Sequence, residues 1–415
     1  MGSRISFCIL LLSLMTFGIH AQAPVAPPAG RGGGRGPGVV SPQVNPDHTI
    51  TLRFRAPDAR EVIVIGEIDG KDHTMTKGDD GVWTATIGPL APDVYNYQFR
   101  VDGIVAMDPQ NPSVKLGFGA FPPASLVEVP GDGLIFDDAK PVPHGTVRVE
   151  TYNSKTIGSP RTLWIYTPPG YDESKQRYPV FYLLHGAGNI DSSWMLTGRA
   201  NYIMDNLIAE GKAKPMILVN PLGYARQGVG LGPESATDQQ AMGGRGPAPA
   251  APGTGPTAGR GAAGVLGGGG QQNSPFANDL LNDVIPYVEG KFRTLKDPDH
   301  RAIGGLSMGG GQTIAVGFTH TNLFHYIVVM SAGSQNADQT YPDFFANPAA
   351  TNKTLKLLWL GVGSDDPLAG AGAKSLDATL TAKGITHTYW LHPGARHEWV
   401  VWRHALDEVA PKLFR

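Results

Sequence analysis

The sequence predicts an α/β domain with a mainly parallel central sheet, preceded by a small all-β sandwich. Short alternating strands with regular turn signals fill residues 46–130. From residue 151 to 415, apolar runs of buried-strand type alternate with helical patterns. One of those runs ends in the glycine-flanked serine Gly305-Leu306-Ser307-Met308-Gly309.

Residues 1–21 read as a secretory signal peptide. Arg4 supplies positive charge, Phe7 to Ile19 is an apolar run too short for a membrane span, and Ala21 offers a small residue for cleavage. The only cysteine, Cys8, lies inside this segment, so the mature chain has no cysteine chemistry. A secreted or periplasmic protein without a stable membrane anchor is expected. Residues 22–45, rich in Ala, Pro and Gly, are expected to form a disordered linker. A net charge of −2 without long like-charge runs argues against nucleic acid as the main partner.

The sandwich is read from Ile50 to Phe54, Glu61 to Ile65, Gly81 to Ile87 and Val94 to Val101, separated by turns such as Asp79-Asp80-Gly81 and Asp102-Gly103. It resembles the immunoglobulin-like starch- and glycogen-binding modules found before many carbohydrate-active enzymes. The likeness rests on Gly81-Val82-Trp83, Tyr95-Asn96-Tyr97, Val101-Asp102-Gly103 and Asp108-Pro109. It implies possible carbohydrate binding, with Trp83 and Tyr97 either stacking on sugar rings or filling the core, as aromatics on alternating strands usually do. Residues 131–150 connect to the α/β domain. Residues 243–272, nearly all Gly, Ala, Pro, Thr and Gln, are expected to be a flexible surface insertion, either passive or lid-like.

The serine turn carries the strongest chemical signal. Ile303-Gly304-Gly305 ends a strand, and a helical stretch follows Ser307. Glycines on both sides let strand and helix approach, so the hydroxyl projects at the helix N-terminus, where negative charge is favoured. A serine nucleophile needs a base, which follows it in this motif's chain order after an acid. His397, in a loop after a late strand, is preferred over His392 at a strand end. The acid loop after Leu355 to Leu360 holds Asp365 and Asp366, which spacing does not separate. The oxyanion donors are expected to be the amides of Met308 and of Ala187, in His185-Gly186-Ala187-Gly188-Asn189. His185 is read as structural. No metal spacing and no dinucleotide fingerprint is evident, so no cofactor is expected.

From about residue 145 onward the chain resembles the feruloyl esterase and acetyl xylan esterase family, α/β-hydrolases grouped with enterochelin esterases and esterase D. The matching stretches are Tyr182 to Gly186, Asp279 to Glu289, Arg301 to Gly311 and His397 to Arg403. The family's acid loop, Gly-x-Gly-x-x-Asp, falls on Gly361, Gly363 and Asp366, so the resemblance selects Asp366. It implies a serine esterase using Ser307, His397 and Asp366 on acyl esters of plant cell-wall polysaccharide. The alternatives are a siderophore-ester hydrolase and a non-catalytic carbohydrate-binding protein.

Overall fold

Alternation along the N-terminal strands builds two sheets over one core. The computed structural model describes residues 39–117, 121–225 and 273–415. In the first sheet the order is β1 (Gln43–Val44), β2 (Ile50–Arg55), β6 (Val82–Ile87) and β5 (Thr76–Lys77). In the second, β4 (His73–Thr74), β3 (Val62–Gly66), β7 (Asp93–Val101), β10 (Ala124–Val129) and β9 (Val114–Lys115) lie in that order. β8 (Ile104–Ala106) pairs with β7 as well. Ile50, Leu52, Val62, Val64, Trp83, Tyr97, Phe99 and Val127 meet in the shared core. The expected linker to residue 45 is corrected at its end. Gln43 pairs with Thr51, and the buried Ser41 hydroxyl donates to Asp108 at 2.6 Å. A two-residue polar edge strand has no alternation by which to be recognised in a Pro- and Gly-rich stretch.

Both aromatics considered for sugar stacking, Trp83 and Tyr97, are core residues. Trp83 is 6% exposed, and its indole donates to Ala56 O at 2.9 Å. Tyr97 is fully buried, and its hydroxyl donates to Asp108 Oδ2 at 2.8 Å. Neither ring offers a free face to a sugar, because both are used against the facing sheet.

The second region is one eight-stranded mixed sheet. Its order is β11 (Thr146–Ser154), β12 (Ser159–Thr167), β14 (Ile217–Pro221), β13 (Val180–Leu184), β15 (Arg301–Leu306), β16 (Tyr326–Met330), β17 (Leu357–Gly363), β18 (Thr388–His392). The hairpin β11–β12 and the β12–β14 pair are antiparallel, and the remaining neighbours are parallel. The sheet starts at Thr146, inside the stretch expected to be connector.

Helices cover both faces. Tyr182, Leu184, Ile303, Ile327 and Leu358 pack beneath α2 (Ile285–Lys291), α3 (Met308–Thr319) and α4 (Gly370–Ala382). Phe181, Leu183, Leu218, Val328 and Trp359 pack beneath α1 (Ala200–Ala209) and α5 (Trp399–Val409). Burial on both sides explains why β13, β15 and β16 read as near-continuous apolar runs. The expected signal peptide at residues 1–21 and the insertion at 243–272 lie outside the described residues. No described helix is long and apolar enough to cross a membrane.

α5 ties the two regions together. The guanidinium of the fully buried Arg403 donates to Asp93 of β7 and to Val94 O at 2.6 Å. It also donates to Thr197 O at 3.1 Å and lies 3.2 Å from Asp137.

Candidate active site

Ser307 sits between β15 and α3 with φ 53° and ψ −114°, a left-handed backbone that costs a non-glycine residue about 1–3 kcal/mol. The surroundings hold it there. A Cβ on Gly305 would lie 2.7 Å from Gly309 C and from Leu184 Cβ, and one on Gly309 would lie 2.6 Å from His185 O. Only glycine at both positions lets α3 start this close to β13 and β15. The Ser307 amide donates to Met330 O at 2.8 Å.

The hydroxyl of Ser307 lies 2.8 Å from His397 Nε2, and His397 Nδ1 lies 2.8 Å from Asp366 Oδ2. An imidazole that donates from Nδ1 to the carboxylate keeps Nε2 as an acceptor for the serine proton. Asp366 Oδ1 accepts from the amides of Leu368 at 2.9 Å and Ala369 at 2.8 Å. Burial works to raise this carboxyl's pKa, but the His397 bond and those two amides hold it below the usual aspartate value. Asp365, the other sequence candidate, is exposed and turned away, and its amide donates to Ala395 O at 3.0 Å. His392 is not brought to the serine, since it ends β18 with its ring against His404 at 4.7 Å.

The acid and histidine loops are laced together. Gly394 N donates to Ser364 Oγ at 2.8 Å, and Ser364 N donates to His392 O at 2.9 Å. A Cβ on Gly363 would lie 2.3 Å from Ala395 O, which is the physical reason for glycine in the acid-loop pattern. The edge-on ring of Trp402, 5.3 Å from His397, completes the histidine's support; its indole donates to Ser331 Oγ at 3.0 Å.

The loop after β13 lies against the serine, where a Cβ on Gly186 would be 3.2 Å from Ser307 Cβ. Ala187 and Met308 pack on the same small cluster with Leu222 and Tyr224. Neither of their amides donates to an acceptor among the described residues. The next amide, Gly188, is already committed to Tyr224 Oη at 2.7 Å. His185 braces this loop. Nδ1 donates to Gly186 O at 2.8 Å, Nε2 accepts from Gly223 N at 2.9 Å, and burial pushes its pKa down to about 4. A neutral imidazole with both nitrogens engaged is a strut.

Two residues near the site carry no sequence signal. Phe121, about half exposed, leans on Gly188, where a Cβ would lie 2.5 Å from its ring. Glu67 Oε2 accepts from Trp399 N at 3.2 Å, two residues past His397. Both come from the β-rich region, and local patterns do not encode contacts this distant in the chain.

A strand–serine–helix turn on a helix-covered sheet, with the histidine and acid on later loops, defines an α/β-hydrolase. The chain belongs to the esterase family described as "Putative esterase", which it matches over residues 154–241 and 257–413. It is 32% identical over 387 residues to an endo-1,4-beta-xylanase/feruloyl esterase of Xylanibacter ruminicola. That match takes in 91% of this chain and 46% of the relative, so the chain spans about half the relative's length. Among solved structures it resembles a ferulic acid esterase from Anaeromyces mucronatus, with TM-score 0.51 and 24% identity, over 67% of this chain and 93% of that one. It also resembles the enterobactin esterase from Shigella flexneri, with TM-score 0.61 and 16% identity, over 88% of this chain and 92% of that one. The second likeness is wider than residues 146–415 alone can supply, so it extends into the β-rich region.

Proposed function

We propose that the chain is a secreted or periplasmic serine carboxylic-ester hydrolase that removes feruloyl or acetyl groups esterified to plant cell-wall polysaccharide. The observation that carries the reaction type is the continuous hydrogen-bonded line from Ser307 Oγ through His397 to Asp366, beside two amides that donate to no acceptor among the described residues. In this reading Ser307 attacks the ester carbonyl while His397 Nε2 takes its proton. Asp366 stabilises the imidazolium, and the Met308 and Ala187 amides receive the oxyanion. His397 then returns the proton to the departing alcohol, leaving an acyl-Ser307 that water releases by the same steps.

The substrate class is supported by the relative of Xylanibacter ruminicola, which is named for feruloyl ester cleavage alongside xylan cleavage. Phe121 gives the β-rich region a half-exposed ring against Gly188, next to the Ala187 amide, suited to polysaccharide where the buried Trp83 and Tyr97 are not.

The test is the purified mature protein and its Ser307→Ala variant on a simple aryl ester, methyl ferulate, acetylated xylan and enterobactin. Turnover of the first three that disappears with Ser307 is expected. A preference for enterobactin would transfer the substrate to the siderophore class, and wild-type rates in Ser307→Ala would remove Ser307 as the nucleophile. Fluorophosphonate labelling that depends on Ser307 separates an enzyme from a non-catalytic carbohydrate binder.

A further inference from the structure

We infer that Glu67, on the β-rich region, is a positioning residue for His397, acting as the cap of the helix that follows the histidine loop. The inference rests on His397 being the base.

α5 begins at Trp399, two residues after His397, and its first amides need acceptors. The residue at the cap position, Glu398, makes no capping bond with its side chain; its Oε1 accepts from Arg396 N at 3.0 Å instead. The acceptor for Trp399 N comes from 332 residues away, as Glu67 Oε2. Glu67 is itself held. Its amide donates to Asn96 O at 2.9 Å, and Lys115 Nζ stands 3.6 Å from Oε1. In the same turn Gly70 makes room for Arg396, since a Cβ there would lie 2.7 Å from Arg396 Cδ. Val400 packs against the sandwich core, and Arg403 grips Asp93 one turn further on. The start of α5, and with it the His397 loop, is therefore fixed against the β-rich region.

Charge gives the cap a second effect. A helix N-terminus is electropositive, and His397 becomes positive when it takes the serine proton. The Glu67 carboxylate offsets that unfavourable neighbour. The other charged groups around the loop are Asp366 on His397 Nδ1, Arg396 and Glu398 on either side, and Lys115 on Glu67. Arg403 and His404 lie further along α5, both paired with Asp93 of β7.

The experiment compares the full mature protein with Glu67→Ala and Glu67→Gln on 4-nitrophenyl acetate, across a pH series, with Ser307→Ala alongside. Glu67→Ala is expected to lose about tenfold in kcat with KM little changed, the cost of a slightly misplaced base. Glu67→Gln keeps a carbonyl acceptor and loses the charge. It should recover most of kcat, while the acid limb of kcat/KM moves to lower pH by about 0.2–0.7 unit. Wild-type kcat and an unmoved limb in both variants would overturn the assignment. So would equal losses in both with the limb unmoved, the signature of a contact that only stabilises the fold. If Glu67→Ala does not fold, the limb in Glu67→Gln decides alone. Activity surviving Ser307→Ala would instead strike at the reading of the site.

Discussion

Asp366→Asn puts the sharpest demand on the site, because the structure dictates how the amide must sit. Asp366 Oδ1 is pinned by two donors, Leu368 N and Ala369 N, at 2.9 and 2.8 Å. Asparagine keeps those bonds only with its oxygen in the Oδ1 place, which turns its NH2 toward His397 Nδ1. The 2.8 Å contact that now joins a donor to an acceptor would then join two donors. His397 escapes by moving its proton to Nε2, and in that tautomer it cannot accept from Ser307. A wrong-tautomer histidine costs about 10³–10⁴ in kcat, or about 4–5.5 kcal/mol of transition-state stabilisation. Folding should change little, since the two amide bonds survive. The assay is kcat on an aryl ester near neutral pH, with the urea midpoint measured on the same preparations. Asp365→Asn is the comparison and should stay near wild type, because Asp365 is exposed and makes no contact with His397. Loss of less than tenfold in Asp366→Asn, or a larger loss in Asp365→Asn, would refute the argument.

Three further outcomes follow from the same contacts. Arg403→Met should destabilise the protein by about 3–5 kcal/mol in urea unfolding, because it strands the buried carboxylates of Asp93 and Asp137. Asp93 gives a pH signature. Burial works to raise its pKa, but Arg403, His404 and the Val94 amide hold it down at about 2. A depressed carboxyl contributes stability that is complete above its unfolded value and is lost as pH falls through the folded value. The stability difference between wild type and Asp93→Asn should therefore shrink by about 2 kcal/mol between about pH 5 and pH 2. Asp137, whose pKa burial raises and the Asp93 charge raises further, works in the opposite sense, and removing Asp93 relieves part of that. Ala187→Pro deletes one proposed oxyanion donor and should lower kcat by about 10²–10³ with substrate affinity largely kept, as measured by steady-state kinetics.

What the sequence discloses here follows the range of the interaction. The serine turn is legible because its requirements are local: a buried strand, then glycines at 305 and 309 that let α3 close on β13 and β15. His397 is legible from its place after a late strand. Asp366 is not separable from Asp365 by spacing, and only the family's register chooses it. The structure supplies the reason, since Gly363 must pass beneath Ala395 O and this fixes which carboxylate faces the histidine. By contrast Glu67, Phe121 and the Arg403 pair with Asp93 leave no periodic trace, because each joins segments that are far apart in the chain. The short edge strand at Gln43–Val44 is hidden for a related reason: two residues cannot display a period. Three of the contacts that sequence patterns miss join the β-rich region to the site, Phe121 at the loop after β13 and Glu67 and Asp93 at the helix that follows the histidine loop. The histidine loop must hold a hydrogen bond on each side of one ring, to Ser307 and to Asp366. A loop left to itself samples many geometries, and fixing it costs about 1–2 kcal/mol per residue in backbone entropy. Anchoring α5 through Glu67, Val400 and Arg403 meets part of that cost during folding, before substrate arrives. On this argument the β-rich region contributes to turnover of even the smallest ester, one that never touches it.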